Sequence, residues 1–122
     1  MPTTDPQQFA ADDFCYLTTT GRVTGRPHTI EIWFALDGHT LYMLSGGGGN
    51  ADWVKNLMRQ PEVTVRIRDT VYPGRARVVE EGGDEDALAR RIVVDKYQPG
   101  YGEDLSGWGR ESLVVAVDLE VV

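Results

Sequence analysis

The chain has 122 residues, a formal charge of −7 and 41% hydrophobic residues, the profile of one globular domain. That acidic balance excludes a nonspecific nucleic-acid binder, which needs clustered Lys and Arg to neutralise phosphates, and no apolar run approaches the roughly 20 residues of a membrane span. A lone cysteine, Cys15, excludes an internal disulfide or a multi-cysteine metal site, and the opening Met1-Pro2-Thr3-Thr4-Asp5-Pro6 lacks the basic start and apolar core of a signal peptide, so a cytoplasmic location is expected.

Residues 1–12, rich in Pro, Gln, Thr and Asp with Phe9 as the one anchor, read as a flexible N-terminal arm, and residues 13–122 as a single domain. Phe14 to Thr20 is a strand, closed by Gly21-Arg22-Val23-Thr24-Gly25, whose glycines suit the positive φ of a hairpin connection. Pro27 to Phe34 is the return strand, with Ile30, Ile32 and Phe34 on one face and Thr29, Glu31 and Trp33 on the other. Asp37-Gly38 is a second turn signal, and Thr40 to Leu44 follows as a third strand, so the opening third reads as an antiparallel meander. Gly46 to Gly49 breaks the pattern. Asn50 is the expected N-cap of a helix running to about Arg59, with Trp53, Val54 and Leu57 inward and Pro61 beyond its end.

Val63, Val65 and Ile67 alternate with polar residues in a fourth strand. Val71 to Glu80 forms a fifth, in which Pro73-Gly74 suggests an edge or a bulge. After Gly82-Gly83 a helix is expected with Asp84, Glu85 and Asp86 in its first turn, Arg90, Arg91 and Lys96 later, and Leu88 and Ile92 one turn apart. Tyr97 to Gly109 is irregular and aromatic. Leu113 to Leu119 is too uniformly apolar for a strand with one wet face and belongs in the middle of a sheet. About six antiparallel strands with inserted helices point to a mainly β fold, a barrel in which closure removes the open edges.

Self-sufficient catalytic machinery is missing from the pattern. His28 and His39 lie on different elements, no HExxH or GxSxG motif occurs, and Cys15 sits in an apolar strand that disfavours its thiolate. No metal site is expected. Such a chain suits a protein whose bound cofactor performs the hard step. Ser45, Gly46 and Gly47, at the start of the glycine run, either present backbone amides to an anion ahead of the helix or serve as a flexible link, and Asp52 would compete with that anion. Arg22, Arg26 and His28 flank the first turn, as anion ligands or as exposed hairpin charges. Trp53 and Asn56 share a helix face. Tyr97, Tyr101 and Trp108 form an aromatic wall for a planar ligand or a cap over the barrel mouth.

The segment Leu17-Thr18-Thr19-Thr20-Gly21-Arg22-Val23-Thr24-Gly25-Arg26-Pro27 resembles the T-x-G-R-x-[ST]-G-x-P opening of the deazaflavin-dependent nitroreductase family, within the flavin/deazaflavin oxidoreductases. Trp53-Val54-Lys55-Asn56-Leu57-Met58-Arg59-Gln60-Pro61-Glu62-Val63 is similar to that family's W-x-x-N-L-x-x-x-P-x-V segment. The resemblance implies a split β-barrel that binds coenzyme F-420, a deazaflavin, and passes hydride from its reduced form to a quinone, nitroaromatic or activated alkene. It implies that Arg22, Ser45, Gly46, Trp53 and Asn56 lie on the cofactor side; Arg26, His28 and Gly47, candidates from their own residue types and positions, complete the expected cofactor-binding set. Tyr97 and Tyr101 then line the substrate pocket as candidate proton donors. Val23 and His28 stand where the family commonly carries Lys and Arg, which keeps open FMN as the cofactor and a non-enzymatic binding barrel as the function. The expected partners are small molecules, and the chain is expected to be a monomer or homodimer.

Overall fold

The computed structural model describes residues 4–121. Seven strands are present: β1 (Cys15–Thr20), β2 (Pro27–Ile32), β3 (Ala35–Asp37), β4 (Thr40–Ser45), β5 (Glu62–Ile67), β6 (Thr70–Val78) and β7 (Leu113–Leu119). They form one antiparallel sheet in the order β2-β1-β5-β6-β7-β4-β3. Helices α1 (Asp52–Arg59), α2 (Asp84–Tyr97) and α3 (Ser106–Glu111) interrupt the strands.

Mainly β architecture is as expected, but the count of six strands and the meander are corrected. The expected strand from Pro27 to Phe34 stops at Ile32 as β2, and the unexpected strand β3 begins at Ala35, just past Trp33-Phe34; β2 and β3 lie at opposite edges of the sheet. The strand from Thr40 pairs with β3 and β7, not with β2. Only two residues join the opposite edges, so Ile32 and Ala35 are no more than about 11 Å apart. The sheet must therefore curl, and it does so as a half-barrel around Phe34, which is fully buried.

One core lies inside the curl, where Leu17, Leu41, Met43, Val65, Ile67, Tyr72, Val115 and Val117 meet Val54 and Leu57 of α1. A second lies outside it, where Ala89 and Val93 of α2 cover Tyr42, Leu44, Val114 and Ala116. Strands β4 and β7 are thus buried on both faces, which explains the uniformly apolar run Leu113 to Val117. On α2 the fully buried pair is Ala89 and Val93, with Leu88 and Ile92 only partly covered, because small side chains let the helix lie close to the sheet.

Pro73-Gly74 marks neither edge nor bulge, since β6 lies between β5 and β7. The N–H that Pro73 lacks falls opposite Glu120, one residue past the end of β7, and Pro73 O still accepts from Glu120 N at 2.8 Å. Gly74 is needed for close approach: a Cβ there would lie 2.5 Å from Val117 Cγ1 and 3.1 Å from Asp118 O. Asn50 does not cap α1; the N-cap is Ala51, with no side-chain hydrogen bond, because Gly48–Asn50 form a 3-10 turn of their own. Ahead of β1, Pro6–Phe9 form another 3-10 turn with Pro6 and Phe9 buried. Tyr72 Oη donates to Thr4 O at 2.8 Å and Arg68 pairs with Asp12 at 2.8 Å, so this segment packs on the sheet.

Candidate functional site

The connection between β1 and β2 stands against the first turns of α1, and the two enclose an open cleft of about 450 Å³. Arg22 and His28 reach it from the hairpin, Asp52, Trp53 and Asn56 from the helix. Gly25, with φ +74°, makes the reversal, and its N–H donates to Gly21 O at 2.9 Å. Gly21 is constrained differently. A Cβ there would stand 2.6 Å from His28 Nε2, so its bareness leaves room for the imidazole.

Asn56 ties hairpin to helix. It is buried, and its Nδ2 donates to Thr19 Oγ1 at 3.3 Å, while its Oδ1 accepts from the Arg22 backbone N at 3.2 Å and from Arg22 Nη1 at 2.8 Å. Arg22 Nη2 meets Asp52 Oδ1 at 3.1 Å. The guanidinium is therefore held in one orientation across the cleft, with part of its charge already answered by a carboxylate. Trp53 is partly buried against the inner core and supplies an aromatic wall.

Of the residues singled out in the sequence, Arg22, His28, Trp53 and Asn56 meet here. Arg26, Ser45, Gly46 and Gly47 do not line the cleft. The Arg26 side chain is exposed, and the residue closes the hairpin through its carbonyl, which accepts from Gly21 N at 2.7 Å. Ser45 is buried and donates to Gly48 O at 3.0 Å. Gly46 faces Trp108: a Cβ would lie 3.4 Å from its Nε1. No Cβ at Gly48 or Gly49 would meet anything, so this part of the loop borders open space.

Tyr97 and Tyr101 lie elsewhere. With Asp13, Trp33, Lys96 and Gly100 they line a second cleft of about 330 Å³, which shares no residue with the first. Trp33 organises it: its ring stacks on Tyr97 at 4.2 Å and 4°, and meets Tyr101 and Trp108 edge-on at 5.5 and 5.8 Å. The Tyr97 hydroxyl is committed to backbone. It donates toward Asp13 O at 2.6 Å, lies 3.1 Å from Phe34 O, and accepts from Phe34 N at 3.0 Å. Burial raises its pKa above the ordinary tyrosine value, so in this arrangement the hydroxyl positions the Trp33-Phe34 corner and has no proton to spare. Tyr101 is exposed.

Sequence reasoning passed over Trp33, assigned to a wet strand face, and Lys96, taken as a helix-dipole charge. Nothing local distinguishes either; only the strand break and the docking of α2 bring them together. Cys15 is fully buried and burial pushes its thiol up to about 12, so it is inert, as expected. Among the described residues no cluster of His, Cys, Asp and Glu is arranged to hold a metal, and no helix is long and apolar enough to cross a membrane.

A seven-stranded antiparallel half-barrel with inserted helices defines the chain as one of the split-barrel proteins, a class that includes flavin-binding members. Residues 3–120 match the model of the F-420H(2)-dependent quinone reductase family, and the chain belongs to that family. Among solved structures, it is similar to an F-420-H2-dependent reductase (FDR-A), with 26% identity over 87% of this chain and 94% of that one and a TM-score of 0.70. It is also similar in fold to a FAD-binding protein from Mesorhizobium loti, with 15% identity, coverage of 93% and 84%, and a TM-score of 0.67. The heme storage protein HutZ from Vibrio cholerae shares the fold at 16% identity, with coverage of 100% and 93% and a TM-score of 0.69.

Proposed function

We propose that this protein is an oxidoreductase that binds coenzyme F-420 in the hairpin–helix cleft and serves the reduction of an electron-poor small molecule such as a quinone, nitroaromatic or activated alkene. The observation that carries this is the fixed guanidinium of Arg22 in an open cleft walled by Trp53, in a chain of the F-420H(2)-dependent quinone reductase family. The donor set fits a ring with an anionic tail. Arg22 offers forked N–H groups to phosphate or carboxylate, and Trp53 presents an indole to a ring in the same cleft.

When bound, the deazaflavin supplies the hydride, which is why the chain needs no nucleophile of its own. Arg22 and His28 would hold the tail, Asn56 orients Arg22, and Trp53 offers a flat apolar surface. The Trp33, Tyr97 and Tyr101 cluster would form the acceptor side, where aromatic walls exclude water from a planar ligand.

Titrating the protein with oxidised and with reduced coenzyme F-420, followed by tryptophan emission, tests this. Saturable binding is expected, and Arg22→Ala should weaken it by about 1–3 kcal/mol, the range for losing a charge-assisted contact. Absence of saturable binding by the wild-type protein would overturn the assignment. FMN is the second reading, favoured by the Asp52 carboxylate on Arg22, which suits a tail of lower charge. Yellow protein carrying FMN on purification would decide for it, and a colourless preparation indifferent to added FMN against it.

A further inference from the structure

Lys96 is a half-buried cation with no carboxylate within 4.0 Å among the described residues. Its stem enters from the last turn of α2, and Nζ lies 3.7 Å over the Phe34 ring and 5.1 Å from the centre of the Tyr97 ring. It donates to Phe34 O at 2.8 Å, which accounts for one of its three N–H groups. From this anchored position it lines the 330 Å³ cleft together with Trp33, Tyr97 and Tyr101.

An ammonium drawn partly out of water without a counter-ion is costly, and a bound anion would offset that cost. Desolvation brings Lys96 down to about 8. The charges that face it are Asp12 and Asp13, from the segment before β1, and both act to keep it protonated; Cys15 of β1, at about 12, is a neutral thiol at that pH. The Phe34 face also favours the cation. Asp13 lines the cleft as well, but no described carboxylate comes within 4.0 Å of Nζ, so the ammonium keeps N–H groups for a closer anion, and what the cleft offers besides is aromatic surface.

We propose that this cleft is a binding site for a flat aromatic compound bearing a carboxylate, with Lys96 as its anion ligand and Trp33 and Tyr101 as its walls. Identifying that compound with the acceptor rests on the function proposed above; the binding itself does not.

Benzoate and its uncharged counterpart benzyl alcohol are the probes, with binding followed by tryptophan emission and ligand-observed NMR. Benzoate should bind saturably and benzyl alcohol at least about tenfold more weakly, as expected for one charge-assisted contact. Lys96→Met should lose benzoate binding to the same degree while retaining coenzyme binding, whereas Arg22→Ala should do the reverse. Should Lys96→Met fail to fold, the wild type alone decides. Its benzoate affinity must fall as the pH rises from about one unit below to about one unit above the Lys96 value, with proton uptake on binding across that window. Failure to bind benzoate, equal affinity for benzyl alcohol, full binding by folded Lys96→Met, or a flat pH profile would each overturn the proposal. Failure of the coenzyme titration on the same samples would instead remove the cofactor assignment and leave this site standing.

Discussion

Arg22 and Asp52 share the mouth of the cleft, and their pairing decides how much positive charge an incoming anion meets. The carboxylate is 87% exposed, so it holds the guanidinium in water, where an ion pair contributes little to stability. Its larger effect is on the ligand: any phosphate or carboxylate approaching Arg22 must displace Asp52 or share the fork with it. Asp52→Asn is therefore expected to strengthen binding of coenzyme F-420 or FMN severalfold while leaving riboflavin, which has no phosphate, unchanged. Parallel titrations of the two proteins check this, and equal gains for riboflavin would mean that shape, not charge, had changed. Arg22 and Asn56 were legible as candidates from their positions in two motifs. The orientation that Asn56 imposes on Arg22 was not, because it depends on a hydrogen bond between residues 34 positions apart.

At the level of elements, the start of α2 is fastened to the sheet by Glu85. Arg77 of β6 donates to both its carboxylate oxygens, at 2.6 and 2.7 Å, and Tyr42 of β4 donates to one at 2.7 Å. These bonds, Arg77 first, hold Glu85 down at about 2 against an ordinary value of 4.5. A carboxylate with a depressed folded pKa stabilises the protein above its unfolded pKa, and the stabilisation is lost as pH falls through the folded one. The wild type should thus lose stability between pH 4.5 and about 2. Glu85→Gln should show a shallower loss over that interval in urea denaturation at stepped pH; parallel slopes would refute the role. Arg77 also pairs with Asp118 of β7 at 2.8 Å, so one guanidinium joins β6, β7 and α2. Gly74 serves the same pair of strands by having no side chain. Gly74→Ala would force Val117 to move in a closely packed face and is expected to destabilise the fold by about 1–3 kcal/mol, measurable as a lowered urea midpoint. The acidic first turn of α2 was visible in the sequence, but its partners were not, since nothing local marks Arg77 of β6 or Tyr42 of β4 as meeting the start of that helix.

For the whole molecule, the two-residue passage through Trp33-Phe34 turns an open sheet into a half-barrel. Phe34 fills the inside of that corner, while its carbonyl and amide are held by Lys96 and Tyr97 and its ring lies under Lys96. Phe34→Ala should cost about 3–5 kcal/mol, the usual penalty for deleting a buried aromatic ring, and should also disorganise the Trp33 cluster. Urea denaturation and near-ultraviolet circular dichroism check the two effects separately. A variant that lost stability but kept its aromatic signal would show that the corner and the cluster are independent.

The sequence by itself determined the elements whose signals are local: alternating apolar positions in β2 and β5, the glycine turns, the helices, and the two motifs that pointed to a cofactor on the hairpin and α1. It determined the central place of β7 as well, because a strand buried on both faces has no polar period. Only the tertiary structure decided that β2 and β3 part at Trp33, since the apolar alternation runs through the break without a mark. It also decided that β4 pairs with β7, that Pro73 lies in an interior strand, and that Lys96 meets an aromatic cleft. Those choices are set by contacts between distant residues, whose free energies appear only when the curled sheet brings them together, and no window along the chain contains them.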